Sequence, residues 1–159
     1  MSNVIIYSSS HGTTAKVSSM IKDQLSGDTD IINLKKKRNP SISGYEKVII
    51  GGSIHMGRFS RKVKKFVEHK KDELLEKKFG LFICCMDEGE GAQKEFEISY
   101  PISLKEKAQA KGILGGEFLF DKMSAFQRFV VKKVAGITET TKKIDEKAIK
   151  KFASEMNKA

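Results

Sequence analysis

Short apolar runs, each followed by a stretch with helical spacing, constrain this chain more than any other feature. The first run is Val4-Ile5-Ile6, inside a strand read over residues 3–8. Further runs lie at 30–34, 47–51 ("KVIIG"), 79–84 ("FGLFIC") and 112–118. Residues that are apolar at successive positions mark a strand buried on both faces. Between these runs the period changes. Residues 13–25 set Ala15, Val17, Met20, Ile21 and Leu25 on one stripe, and residues 58–75 do the same with Phe59, Val63, Phe66, Val67 and Leu74. Residues 93–110 read as a loop holding Pro101 and then a helix. Residues 145–156 read as a closing helix, with Ala148, Ile149, Phe152 and Met156 on one side. Alternating strands and helices build a parallel sheet covered on both faces. Five strands in 159 residues suit one α/β domain, 1–159, with a doubly wound sheet of order 2-1-3-4-5. No linker or repeat interrupts it.

In such a sheet, ligands bind beyond the carboxyl ends of the strands, near the point where the order reverses. The loops after the first, third and fourth strands should then be unusual. They are "SSSHGTT" (8–14), "GGSIHMGRFS" (51–60) and "CCMDEGEG" (84–91), all rich in glycine or small polar residues. The connection "LKKKRNPSISGYEK" instead resembles a solvated link.

The first of these loops turns from strand to helix at Gly12. Backbone N–H groups at a helix start lack internal partners and, with the helix dipole, make an anion site. The hydroxyls of Ser9, Ser10, Thr13 and Thr14 add donors. No lysine follows the glycine, which excludes a Walker A loop, and no G-x-G-x-x-G is present for a dinucleotide. Hydroxyls and amides alone suit one terminal phosphate monoester. The bland alternative is a Ser/Thr-rich helix cap.

The formal net charge is +10, from 30 Lys+Arg against 20 Asp+Glu. That balance favours anionic partners or a solvated basic surface. No nucleic-acid-reading module accompanies it, and no nucleic acid is expected. The adjacent Cys84 and Cys85 would point to opposite faces of a strand, which argues against a disulfide. His11, His55 and His69 lack metal-motif spacing, and no metal is expected. No apolar run is long enough to span a bilayer, and no leader pattern is visible, so a cytoplasmic location is expected.

"YSSSHGTT" resembles the FMN-phosphate loop of flavodoxins, of the form T/S-x-T-G-x-T, with Ser9, Ser10, His11, Gly12, Thr13 and Thr14 on its positions. The strand order and the other two loops match as well, so the resemblance covers the whole chain and implies a flavodoxin-like fold. "GGSIHMGRF" is similar to the G-A-S-I-x-x-G-x-[FY] segment of menaquinone-dependent protoporphyrinogen oxidases, a flavodoxin-like family that acts in heme biosynthesis. The segment from Gly115 to "GITETTKK" approximates that family's Gly-Glu-Thr-Asp-like stretch.

The resemblance implies noncovalent FMN, with the second and third loops on either side of the isoalloxazine ring. Ser53, Ile54, His55, Met56 and Gly57 would come from one loop, and Met86, Asp87, Glu88 and Gly89 from the other. The chain has no Trp, so ring contacts fall to His55 and Met56 rather than to a stacked indole. Asp87, Glu88 and Glu90 near the ring would lower its potential, and the wider positive charge would raise it.

The function implied is an FMN-dependent oxidoreductase of the protoporphyrinogen oxidase kind. It would pass electrons from a reduced, anionic small-molecule substrate to a quinone or another acceptor, with Arg58 and Lys62 as candidate substrate contacts. The alternative is a flavodoxin-type electron carrier serving a redox partner protein. A binding module that has lost its flavin is the third class. Residues 124–134, with Phe126, Phe129, Val130 and Val134 on one side, read as a helix packed on its own sheet. The alternative for this segment is peripheral contact with the inner face of a membrane or with a quinone.

Overall fold

A computed structural model describes residues 2–9, 12–55, 57–86, 89–118 and 141–159. Its main sheet is built from β1 (Ser2–Ser8), β2 (Asp28–Asn33), β3 (Lys47–His55), β4 (Arg58–Phe59), β5 (Lys78–Cys84) and β6 (Ala110–Ile113). The order is β2-β1-β3-β5-β6, all parallel, with β4 turned back antiparallel on the end of β3. This is the doubly wound parallel sheet expected from the sequence.

The continuous apolar runs divide by parity. Val4 and Ile6, Val48 and Ile50, and Leu81 and Ile83 enter one core. Ile5, Ile49 and Phe82 enter the other. On the first face lie α2 (Arg61–Leu75), α3 (Gly89–Ser99) and α4 (Ile102–Lys107), supplying Val63, Phe66, Leu74, Phe96 and Leu104. On the second lie α1 (Thr13–Gln24) and the last helix, α5 (Glu146–Lys158), supplying Val17, Ile21, Ile149, Phe152 and Met156. A strand between two helical layers has no polar face, which is why these runs do not alternate. Cys84 and Cys85 follow the same rule and are buried in opposite cores.

Four boundaries differ from expectation. The third strand continues through Ile54 and His55, where the ligand-binding loop 51–60 was expected to have begun. Helix α2 begins at Arg61 rather than at 58, because Ser60 caps it: its Oγ accepts the Val63 N–H at 3.4 Å. The expected fifth strand, 112–118, is two pieces. Gly115, at φ +80°, breaks it into β6 and β7 (Gly115–Phe118), and β7 pairs antiparallel with β8 (Thr141–Ile144) in a separate ribbon. The stretch expected to open as a loop at 93 is already helical from Gly89. Pro101, which has no N–H, separates α3 from α4. The segment 124–134 lies outside the described residues.

Candidate functional site

The carboxyl ends of β1, β3 and β5 lie side by side. Ser8 pairs with Gly52, and Ser53 pairs with Cys84. Adjacent strands run about 4.8 Å apart, so the three loops leave the sheet as neighbours. Met86 lies two residues beyond the end of β5, and Gly89 opens α3.

The β1–α1 turn is closed by Gly12 at φ +90°, a conformation that L side chains rarely adopt, and its missing Cβ would point into open space. The Gly12 N–H donates to Ser9 Oγ at 2.9 Å. The first hydrogen bond joining α1 to its cap runs from the Lys16 N–H to the Gly12 carbonyl at 3.0 Å, so the N–H groups of Thr13, Thr14 and Ala15 precede the ladder. Glycine offers no side-chain cap here. Thr13 and Thr14 are buried, and Thr14 Oγ1 has no hydrogen-bond partner. A helix-capping threonine would have found one. Ser10 and His11 lie outside the described residues.

The second loop is a hairpin. Ile54 opposes Phe59 and His55 opposes Arg58, with the turn made at Gly57, φ +74°, again facing open space. Phe59 stands edge-on to Tyr100, with ring centroids 5.1 Å apart. The Tyr100 hydroxyl donates to the Phe82 carbonyl at 2.7 Å and the Ile50 carbonyl at 3.3 Å, tying the ring that supports Phe59 to β5 and β3. Burial raises the Tyr100 pKa well above its usual value, so the phenol remains a donor. Ser53, Ile54 and His55 are half-buried on the hairpin arm, and burial lowers the His55 pKa, favouring the neutral imidazole. Met56 lies outside the described residues.

Gly51 and Gly52 have a different cause from Gly12 and Gly57. A Cβ on Gly51 would stand 1.9 Å from the Phe82 ring, and one on Gly52 would stand 2.7 Å from Phe59. These two glycines make room for aromatic rings and are not a flexible cradle. Behind β5, the Cys85 N–H donates to the Gly115 carbonyl at 3.0 Å, and a Cβ on Gly116 would meet the Cys85 carbonyl oxygen at 2.8 Å. The ribbon's first strand therefore walls the third loop, a contact that the sequence did not signal. Asp87 and Glu88 lie outside the described residues, and Glu90 is exposed in the first turn of α3.

A family model described as a flavodoxin domain matches residues 4–145. The chain belongs to the flavodoxin-domain family. A protoporphyrinogen IX dehydrogenase [quinone] of Leishmania major is 25% identical over 168 residues, covering 96% of this chain and 73% of that protein. Among solved structures, oxidised flavodoxin 1 from Bacillus cereus aligns with TM-score 0.61 at 18% identity, over 99% of this chain and 98% of its own. Fusobacterium nucleatum flavodoxin, solved bound to flavin mononucleotide, aligns with TM-score 0.54 at 15% identity, over 99% and 97%. Among the described residues no helix is long and apolar enough to cross a membrane, and no group of side chains could hold a metal ion.

Proposed function

We propose that this chain binds FMN noncovalently at the carboxyl end of its sheet and works as a flavin oxidoreductase. The observation that carries the reading is the buried Thr14 hydroxyl, which has no partner beside the open start of α1. Leaving such a group unsatisfied costs about 1–3 kcal/mol, which a phosphate oxygen would relieve. In this reading Ser9, Ser10, His11, Gly12, Thr13 and Thr14 hold the phosphate. Ser53, Ile54, His55, Met56 and Gly57 flank one side of the ring, and Met86, Asp87, Glu88 and Gly89 the other. Bound FMN would supply the redox chemistry. The chain's own part is to fix the phosphate, exclude water from the ring and present a neutral His55 beside it.

The preferred reaction oxidises a reduced anionic substrate of the protoporphyrinogen kind and delivers its electrons to a quinone. The resemblance to the Leishmania dehydrogenase supports it, as does the basic surface. The second reading, an electron carrier, is favoured by likeness to flavodoxins across almost the whole chain. The test has two stages. Titration with FMN, followed in the visible spectrum, should give saturable one-to-one binding, and absence of binding overturns the proposal. The loaded protein is then given protoporphyrinogen IX and a quinone under anaerobic conditions. Catalytic turnover supports the enzyme. Failure to turn over, with rapid reduction by a flavodoxin reductase, selects the carrier.

A further inference from the structure

The fold brings together two basic runs that lie far apart in the chain. "KKKR", residues 35–38, follows β2, and "RKVKK", residues 61–65, opens α2. Between them lies a groove of about 630 Å³, lined by Leu34, Arg38, Asn39, Arg61, Lys62, Lys65, Phe66 and His69. Leu34 brings the first run into place: it is buried in the same core as Phe66, and its N–H donates to the Tyr7 carbonyl at 2.8 Å. On α2, Arg61, Lys62, Lys65 and His69 fall at helical spacing along one side, above Phe66. Among the described residues no acidic side chain lines the groove. Among the described residues none of its lining belongs to the three loops assigned to flavin, and Lys62, a substrate contact suggested by the sequence, lines this groove instead.

We infer that this groove is a second ligand site, which takes a small organic polyanion: a flat apolar body carrying two or more carboxylate, phosphate or sulfonate groups. Four fixed cations around one concavity sum their potentials there. The walls are not purely polar. Arginine and lysine lay their methylene stems along the surface and keep the charge at the rim, so the stems of Arg38, Arg61, Lys62 and Lys65 supply the apolar wall, and the buried Leu34 and Phe66 only back it. That combination favours an apolar body with charged edges over a bare inorganic ion. The volume falls in the range of small-molecule sites, about 300–1,000 Å³. A nucleic acid strand would want exposed rings to stack on, and the aromatic ring here is buried. The inference holds whether or not flavin occupies the other site.

The probe is pyrenetetrasulfonate, a flat aromatic polyanion, titrated into the full chain by calorimetry with and without saturating FMN. One-to-one binding that weakens with salt is expected, unchanged by FMN, with inorganic tripolyphosphate about tenfold weaker. Arg38→Glu and Lys65→Glu, each an exposed position from a different run, should each lower the probe's affinity about tenfold. Lys64→Glu makes the same change in net charge one residue away. Lys64 lines a different groove, with Glu68 and Ile98, so its substitution should change affinity by less than about twofold. The site is overturned if the probe does not bind, if FMN displaces it, or if Lys64→Glu weakens it as much as Lys65→Glu does. Equal affinity for tripolyphosphate overturns the apolar body.

Discussion

The two ends of the sheet treat their polar groups differently. At the amino end, side chains bond to the chain's own backbone. Lys47, buried where β3 starts, donates from Nζ to the Met156 carbonyl at 2.7 Å and so closes the end of α5. Asn3 Nδ2 reaches the Ser26 carbonyl at 2.9 Å and Thr29 Oγ1 at 3.2 Å. Lys77 Nζ holds the Tyr45 carbonyl at 2.7 Å, and Asn157 joins α5 to the end of α1 through the Gln24 carbonyl and the Ser26 N–H, both at 2.9 Å. Asn3 Oδ1 is buried without a partner, but its amide makes two bonds. At the carboxyl end the only polar atom of the Thr14 side chain makes none, and Gly12, Gly57 and Gly89 hold positive φ beside open space. Polar groups that hold the fold are spent on the fold. At the opposite end Ser9 and Ser60 likewise bond to backbone N–H groups, and the contrast rests on Thr14, whose buried hydroxyl is unpartnered at the open start of α1.

The largest effect should come where the packed core meets that open end. Gly51→Ala puts a methyl into the Phe82 ring, and neither strand can move without loosening the other core. A stability loss of about 3 kcal/mol is expected, read as a fall in the urea midpoint. Gly57→Ala meets only backbone strain, about 1 kcal/mol. If the two changes were equal, the division between packed and open glycines would fail.

Next in size is Lys47→Met, which keeps the apolar stem and removes the bond to the Met156 carbonyl. A loss of about 2 kcal/mol is expected in the urea midpoint, with FMN affinity unchanged. A loss of FMN affinity without loss of stability would mean that the two ends are not separate in their tasks.

Much of this division could be read in the sequence, for a physical reason. Val4-Ile5-Ile6 is apolar at every position because both faces of β1 are covered, and such runs alternating with helical stretches implied the layers and the parallel order. The "SSSHGTT" turn was legible because a helix start is a local feature. The glycines of "GGSIH" were misleading. They looked like loop residues, and their cause is the bulk of Phe82, thirty-one positions away, and of Phe59. Gly89-Glu90-Gly91 opens a helix despite poor propensity, because Ala92 and Phe96 bury themselves on the sheet. The basic groove was not legible at all, since each of its two runs reads alone as a solvated segment.

Thr14→Val tests the open end with opposite signs in two measurements. Valine has nearly the same shape and removes the buried hydroxyl that lacks a partner. The flavin-free protein should gain about 1 kcal/mol in the urea midpoint, while FMN affinity falls by about 1–2 kcal/mol, roughly 5- to 30-fold. At the amino end a comparable change, Thr29→Val, removes an acceptor of the Asn3 amide and should only destabilise. A Thr14→Val protein that lost stability would show that the hydroxyl is satisfied in solution, and the contrast between the ends would go.

The smallest effect belongs to His55. Burial lowers its pKa below the ordinary 6.5, so the folded chain resists a proton that the unfolded chain accepts. As pH falls through 6.5 toward the lowered value, the unfolded state binds more protons, and stability declines. Above 6.5 both states are neutral at this residue and the contribution vanishes. The difference in urea midpoint between His55→Gln and the parent should therefore stay constant near neutrality and above, and shift in the variant's favour in mildly acidic buffer. The measured quantity is the difference between the two proteins, which cancels the carboxylates and His69. If Arg58, opposite it in the hairpin, adds repulsion to burial, Arg58→Gln will shrink the same difference. A parent and a variant that fall in parallel would mean that His55 is as solvated as in the unfolded chain. The hairpin arm would then be open to water on the side where the ring is proposed to sit.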